Sequence, residues 1–212
     1  MRITVFGATG GIGGHVVRQA LDAGHKVTAV VRKSSAFEVE HPSLEVVRVL
    51  GLDAAEPLRE ALDGSTAVVS GVGARGRKDG PVASNSTRSI LTAMEAAGVR
   101  RFVAISAAPL GPVPDDESFL NRRVIYPMIN AFAADVYADL RLMEAAIMSS
   151  ATDWTVVRPP KLNNKPLTGH YRTVVGGTVT RGYSVSRADV AHLMLAVLDD
   201  PATIDQPVGV SY

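Results

Sequence analysis

Three glycines at positions 7, 10 and 13 follow the first apolar run of the chain. Glycines at this spacing, between a strand and a helix, let the backbone turn tightly and approach a pyrophosphate closely. The N–H groups and partial positive charge at the helix N-terminus then stabilise that anion. A tight turn without a ligand is the alternative. The place of the turn directly after the first strand favours a dinucleotide site, whose binding residues would be Gly7, Ala8, Thr9, Gly10, Gly11 and Ile12.

Arg32 follows the second apolar run, 19 residues after Gly13. A site for NAD has an acidic residue about 20 residues beyond the glycines, where it binds the ribose 2′-hydroxyl. Here the first acid after Arg32 is Glu38. A guanidinium binds a 2′-phosphate in bidentate fashion, so the sequence predicts NADP as the cofactor rather than NAD. A solvated basic strand end is the alternative.

Further candidates follow the third and fourth apolar runs. Asp53 would accept a hydrogen bond from the adenine amino group, or it would cap a helix that begins near Glu56; the sequence leaves both open. Small residues surround Val72 and Gly73. They would let a cofactor pass close to the backbone, or they would serve packing alone.

Ser106 ends the fifth apolar run. Polar side chains at the carboxyl end of a central strand meet the reacting atoms in sheets of this kind. No Gly-x-Ser-x-Gly elbow surrounds Ser106, which argues against a serine hydrolase. We therefore expect the hydroxyl to bind nicotinamide or substrate, with a strand-terminal backbone cap as the alternative.

Alternating strands and helices would position these residues. Near-continuous β-branched runs predict buried parallel strands at 3–6, 27–31, 44–50, 67–72, 102–105 and 154–157. Helical periodicity lies between them, at 12–23, 56–62, 86–97 and 134–148. A later helix has Ser186 as N-cap, Asp189 at the capping-box position, and an inward face of Val190, Leu193, Met194 and Val197.

This alternation predicts an α/β protein with a Rossmann-like, doubly wound parallel sheet of order 3-2-1-4-5-6. We expect one NAD(P)-binding domain over residues 1–212, with a small C-terminal substrate-loop region at about 159–185.

Composition excludes several functions. The net charge of +1 gives no reason to expect a nucleic acid or a membrane as partner. Cysteine is absent, so disulfides, thiolate metal sites and cysteine nucleophiles are excluded. The five histidines have no i, i+4 pair, so no metal site is expected. The apolar start is interrupted by glycines, unlike a signal peptide, and a cytoplasmic protein is expected.

Taken together, these residues resemble the atypical short-chain dehydrogenase/reductases, and among them the NADPH-dependent flavin reductase (biliverdin-IXβ reductase) family. The glycine turn, Arg32 and Ser106 carry the resemblance, together with Pro159-Pro160. Its most specific piece is segment 165–171, KPLTGHY, which is similar to the family's loop after the sixth strand.

The resemblance implies an NADPH-dependent reductase that delivers hydride to a flavin or a similar planar acceptor, such as a linear tetrapyrrole or a quinone. It implies cofactor contacts from the glycine turn, Arg32, Asp53, Val72 and Gly73. Ser106 falls on the family's active-site serine and Lys161 on its histidine, so both are candidate catalytic residues. A lysine keeps a positive charge and donor capacity but cannot act as a neutral imidazole.

Two alternatives remain open. A sugar epimerase or dehydratase would carry Tyr-x-x-x-Lys, but Tyr137 is followed at that spacing by Arg141, and Tyr126 by Asn130. A non-catalytic NADP sensor that regulates a partner protein is the other alternative. The sequence does not predict the oligomeric state.

Overall fold

The computed structural model describes residues 1–73, 80–113, 123 and 133–212. The first six strands are β1 (Arg2–Phe6), β2 (Lys26–Arg32), β3 (Leu44–Val49), β4 (Ala67–Ser70), β5 (Arg101–Ile105) and β6 (Asp153–Arg158). Four more are β7 (Lys161–Asn163), β8 (Arg172–Val175), β9 (Ser184–Ser186) and β10 (Gln206–Ser211).

Eight of these strands form one sheet in the order β3-β2-β1-β4-β5-β6-β10-β8. Neighbours pair in parallel except β10 and β8, which are antiparallel. Strands β7 and β9 pair in parallel as a separate ribbon. The predicted order of the first six strands is therefore confirmed, and the sheet continues by two strands beyond β6.

Helices cover both faces of the sheet, which confirms the doubly wound Rossmann-like fold. They are α1 (Gly11–Asp22), α2 (Glu56–Arg59), α3 (Val82–Ala97), α4 (Ala134–Met148) and α5 (Arg187–Ala196). Helices α1 and α5 pack on one face through Val16, Val17, Ala20, Val190 and Met194. Helices α2, α3 and α4 pack on the other through Leu58, Ile90, Met94, Met143 and Ile147.

Helix α3 begins four residues before the predicted start at Ser86. Its N-cap, Pro81, offers no side-chain hydrogen bond. The buried carboxylate of Asp139 on α4 accepts the N–H groups of Ala83 and Ser84 instead, at 2.8 and 3.0 Å. The cap is distant in sequence, so local capping signals could not locate this boundary.

Two other predicted elements differ in detail. The helix predicted at 56–62 is one α-helical turn followed by a 3-10 turn over Glu60–Leu62. Strand β4 ends at Ser70 rather than at Val72. The inward face predicted for α5 is confirmed, because Val190, Leu193, Met194 and Val197 are all buried.

Strands β7 to β10 are not among the predicted strands. They are short and polar, or interrupted by proline and glycine, and β8 is exposed along its whole length as an edge strand. Such strands form because neighbouring strands offer hydrogen bonds, and their own sequence carries little periodic signal. Within the described ranges, no helix is both long and apolar enough to cross a membrane.

Candidate functional site

The glycine turn is packed backbone against backbone at the carboxyl end of β1. Gly7 has φ +74°, a conformation that favours glycine, and its carbonyl accepts the N–H of Gly10 at 2.8 Å. A Cβ on Gly7 would lie 2.7 Å from the carbonyl carbon of Gly71, and a Cβ on Gly13 would overlap the carbonyl oxygen of Gly7. These contacts bring the first turn of α1 close to the sheet edge.

The N-terminus of α1 is open to an anion. Its N-cap, Gly10, supplies no side-chain hydrogen bond, and its first turn holds no acidic residue. The first N–H groups of a helix need partners from outside the helix, and together with the helix dipole they attract negative charge. Ala8 and Ile12 are buried, and Ile12 packs into the core beneath the turn. The predicted segment from Gly7 to Ile12, including Thr9, is therefore brought together here as one turn.

Arg32 ends β2, the strand beside β1. Its side chain is exposed, and no hydrogen bond or ion pair of its guanidinium is found among the described residues. The cation is therefore available at the same sheet edge as the glycine turn, one strand away.

Asp53 does not cap the helix that follows it. The N-cap of α2 is Ala55, and no side chain caps that helix. The Asp53 carboxylate is exposed and folds back over Gly51, where a Cβ would overlap its Oδ1 atom. The capping alternative is wrong, and a contact with adenine stays a prediction.

The small residues after β4 serve two purposes. Gly71 is needed for packing, because a Cβ there would lie 3.1 Å from the backbone nitrogen of Gly13. Val72 is buried and its N–H donates to the Ser70 hydroxyl at 3.4 Å. A Cβ on Gly73, in contrast, would meet no atom of the described residues within 4 Å. Packing against the described residues therefore does not explain Gly73.

Ser106 stands at the end of β5 with a buried hydroxyl for which no hydrogen-bond partner is found among the described residues. The residue is 8% exposed, and its N–H donates to the carbonyl of Val157 at 2.8 Å. Its side chain therefore does not act as a backbone cap, and that alternative is wrong. A buried hydroxyl without a partner costs about 1–3 kcal/mol, and a bound ligand is one way to satisfy it.

Lys161 begins β7, three residues beyond the carboxyl end of β6. Since β6 pairs with β5, Lys161 and Ser106 follow neighbouring strands at one sheet edge. Lys161 is exposed, and no salt bridge of its ammonium group is found in the described part of the chain.

A buried ion pair fixes the chain just before Lys161. The guanidinium of Arg158 donates to both carboxylate oxygens of Glu144 on α4, at 2.9 and 2.6 Å. Both side chains are 8% exposed. Bidentate geometry of this kind is specific as well as strong, so it sets where the Pro159-Pro160 turn leaves the sheet. The sequence analysis missed this pair, since only the fold brings the two residues together.

Asp189 holds the loop that contains segment 165–171. Its carboxylate accepts the N–H groups of Thr168 and Gly169 at 2.9 and 2.8 Å, and the hydroxyls of Thr168, Ser186 and Tyr212. Burial alone would raise the pKa of Asp189, but the hydrogen bonds from Tyr212, Thr168, Gly169 and Ser186 outweigh it and lower the pKa to about 2.

The capping prediction for α5 is therefore half confirmed. The Ser186 hydroxyl accepts the N–H of Asp189 at 2.9 Å, as predicted for an N-cap. The N–H of Ser186 donates to the Tyr212 hydroxyl instead of to Asp189, so the reciprocal half of the capping box is absent here.

Tyr171 closes the same loop. Its hydroxyl is 2.7 Å from Nδ1 of His192 on α5. Burial, with the charge of Asp189 as a second cause, raises the pKa of Tyr171 to about 12. At neutral pH this phenol stays protonated, so it contributes hydrogen bonding to the loop and does not act as a base.

The candidate epimerase tyrosine has the wrong electrostatics. Tyr137 is half-buried on α4, and burial raises its pKa. A tyrosine that abstracts a proton needs its pKa lowered, usually by a lysine nearby. Tyr126 and Asn130 lie outside the described residues.

The amino ends of the strands, on the side of the sheet away from the glycine turn, carry an open groove lined by Arg2, Lys26, Glu45 and their neighbours. Arg2 and Glu45 form an exposed pair there at 3.8 Å. Ligands of open α/β sheets bind at the carboxyl ends of the strands, and this groove lies at the amino ends. Among the described residues, no cluster of three or more potential metal ligands is found.

The doubly wound sheet, with the glycine turn at the carboxyl end of β1, defines a protein of the Rossmann-like fold. The chain belongs to the NAD(P)H-binding family, whose profile it matches over residues 7–201.

Relatives by sequence include an uncharacterized chloroplastic protein of Arabidopsis thaliana, At2g34460. It is 31% identical over 210 residues, covering 93% of this chain and 71% of the relative. The uncharacterized sugar epimerase YhfK of Bacillus subtilis is 28% identical, covering 96% and 90%.

Solved structures share the fold. A short-chain dehydrogenase/reductase from Veillonella parvula, in complex with NADP, superposes with a TM-score of 0.82 at 19% identity, covering 100% of this chain and 94% of that one. ChuY, an anaerobilin reductase from Escherichia coli O157:H7, superposes with a TM-score of 0.76 at 19% identity, covering 100% and 97%.

Proposed function

We propose that this protein is an NADPH-dependent reductase that transfers hydride to a planar acceptor such as a flavin, a linear tetrapyrrole or a quinone. The orphaned hydroxyl of Ser106 carries the proposal. It is buried and has no partner in the described ranges of the chain. It stands at the carboxyl end of a central strand, where the reacting end of a dinucleotide lies in folds of this type.

The described residues fit the cofactor. The pyrophosphate would lie against the N-terminus of α1, and the 2′-phosphate would lie at Arg32. The open space at Gly73 and the buried Val72 would border the path toward Ser106. The Veillonella protein of the same fold was solved in complex with NADP, which supports NADP as the cofactor proposed here.

Bound NADPH supplies the hydride, and the chain's residues provide position and charge. The Ser106 hydroxyl would donate to the nicotinamide carboxamide or to the acceptor. The Lys161 ammonium would offset negative charge that develops on the acceptor. Much of the rate enhancement would come from holding the two rings at reacting distance. None of the described residues is placed as an obligatory proton donor, so we expect slow turnover with free flavins.

Steady-state NADPH oxidation with riboflavin, FMN, a quinone and a linear tetrapyrrole tests the proposal. Ser106→Ala should lower kcat/KM about tenfold, which is about 1.4 kcal/mol of transition-state stabilisation. Thr87→Val is the matched control, because Thr87 on α3 also has a buried hydroxyl without a partner. It should leave kcat/KM unchanged.

The stability of the two variants sharpens the test. Each removes a buried polar group without a partner, so neither should destabilise the ligand-free protein. Turnover lost in Ser106→Ala without loss of stability supports a ligand contact. Equal losses in both variants would show that the hydroxyl of Ser106 has only a packing role. Tight NADPH binding with no turnover on any acceptor would contradict the reductase hypothesis and favour a non-catalytic NADP sensor.

A sugar epimerase is the second candidate, supported by the name of the Bacillus relative, an uncharacterized sugar epimerase. The raised pKa of Tyr137 and the arginine at position 141 argue against it. Incubation with a nucleotide sugar and NAD⁺, followed by chromatography for an epimer, decides between them.

A further inference from the structure

Arg187 lies beside Gly11 in the glycine turn, although it is 176 residues further along the chain. It is the first residue of α5, and its side chain is half-buried. A Cβ on Gly11 would lie 2.7 Å from Cδ and 3.0 Å from Nε of Arg187. The arginine therefore covers the first residue of α1 at the point where the helix N-terminus is open.

The guanidinium is oriented by an amide and not by an acid. Its Nη1 donates to Oδ1 of Asn164 at 2.7 Å. The ion pairs found among the described residues do not include Arg187. Asp189, two residues further along, uses its carboxylate to hold the 168–169 loop and Tyr212. Arg187 is thus held in place with its charge uncompensated.

Two positive groups consequently lie close together at the start of α1: the helix N-terminus at Gly11 and the Arg187 side chain beside it. No acid in the first turn of α1 offsets them. His15, one turn along the same helix, senses this field, since burial first and then the charges of Arg18 and Arg187 lower its pKa. Like charges kept together in this way are unfavourable without an anion between them.

Arg187 and Arg32 lie at different places in the proposed site, and this difference indicates which part of the cofactor Arg187 would bind. Arg32 ends β2, where the 2′-phosphate would lie, whereas Arg187 covers Gly11 at the start of α1. We infer that Arg187, oriented by Asn164, is a second ligand for the cofactor pyrophosphate and clamps it from α5 against the glycine turn. This inference rests on the dinucleotide placement of the proposed function but not on any turnover.

The inference is tested by calorimetry, which measures the affinity of the full chain for three probes: NADPH, NADH and 2′-AMP. Pyrophosphate is common to the first two and absent from the third. Arg187→Gln should weaken NADPH and NADH by the same factor, about tenfold or more, and leave 2′-AMP unchanged. Arg32→Ala should show the opposite pattern, with NADPH and 2′-AMP weakened and NADH unchanged.

Arg18→Ala is the matched control. Arg18 is an exposed arginine on α1 whose Nη1 donates to the carbonyl of Gly14 at 3.3 Å. Its removal should change affinity for NADPH and NADH less than twofold. A comparable loss in Arg18→Ala would mean that the total charge near α1 matters, and the specific clamp would be overturned.

Asn164→Ala supplies a second, independent variant on an exposed residue, should Arg187→Gln fold poorly. It should weaken NADPH and NADH equally, by roughly threefold, and have no further effect when Arg187 is already glutamine. Unchanged NADH affinity in either variant, or a loss for 2′-AMP equal to that for NADH, overturns the inference. A wild-type chain that binds neither dinucleotide would instead overturn the cofactor placement itself.

Discussion

The proposed cofactor half and the proposed acceptor half of this site are built differently. The turn from Gly7 to Gly13 positions a ligand with backbone atoms, and its residues are neighbours in sequence. The acceptor half, around Ser106 and Lys161, is positioned by side chains that meet across long stretches of chain. Arg158 with Glu144 and Asp189 with the 168–169 loop are its supports.

The difference explains how one fold can keep a cofactor and change its acceptor. A backbone cradle tolerates almost no change at its glycines or at Gly71, which packs against it. A loop held by a few side-chain hydrogen bonds can be exchanged without disturbing the sheet, as in other folds that carry function on loops. The first prediction tests the cradle and the second tests the loop support.

Gly13→Ala should give the largest effect. Its Cβ would overlap the carbonyl oxygen of Gly7, and backbone cannot give way as a flexible side chain can. We expect a loss of about 3 kcal/mol or more in the free energy of unfolding, measured by urea titration. Gly73→Ala is the control, since its Cβ meets no atom of the described part of the chain within 4 Å. It should stay within about 0.5 kcal/mol of the wild type and yet weaken NADPH binding. Equal stability of the two variants would refute the packed cradle.

Asp189→Asn should lower stability by about 2 kcal/mol at neutral pH, because the pKa falls from 3.8 to about 2 on folding. The folded state holds the charged carboxylate more favourably than the unfolded state does. This contribution is therefore complete above pH 3.8 and is lost as the pH falls toward 2. Urea midpoints measured between pH 7 and 3 should decline less steeply in the variant than in the wild type.

Asp153→Asn is the control for that measurement. The hydrogen bond from Arg100 lowers the pKa of Asp153 as well, but this pair is solvent-exposed. Exposed pairs contribute less than about 1 kcal/mol. A loss in Asp153→Asn as large as in Asp189→Asn would show that the loop support is no stronger than a surface ion pair.

Arg32→Ala sharpens the description of the cofactor half. One charge-assisted contact to a 2′-phosphate is worth about 1.5–3 kcal/mol, so the wild type should bind NADPH roughly ten- to a hundredfold tighter than NADH. The variant should lose most of that ratio, with its NADH affinity nearly unchanged. Lys26→Ala, at the other end of β2, is the control and should keep the wild-type ratio. Equal NADPH and NADH affinities in the wild type would contradict the assignment of NADP.

The sequence predicts the cofactor half better than the acceptor half, because local patterns determine the first and long-range contacts determine the second. Strand order, the glycine turn and the inward face of α5 follow from local periodicity and spacing, and the fold confirms them. The distant partners of Asp189, which are the 168–169 loop and Tyr212, leave no local signal, and neither does the partner of Arg158, because these contacts form only after the chain has folded. The sequence offers one local signal for Arg187, its place between a capping serine and an acid. Its position beside Gly11 depends on the packing of α5 on α1.

Lys161→His should have the smallest effect, and it addresses the acceptor half directly. Lys161 is exposed at the start of β7, so stability should change by less than about 0.5 kcal/mol. An imidazole can give and take a proton near neutral pH, whereas an ammonium group supplies charge and donors only. The rate with a linear tetrapyrrole should therefore rise a few-fold relative to the rate with FMN. Lys165→His, in the same loop and also exposed, should leave that ratio unchanged. If both variants shift the ratio alike, the substrate-loop region responds to its overall charge, and Lys161 has no special place beside Ser106.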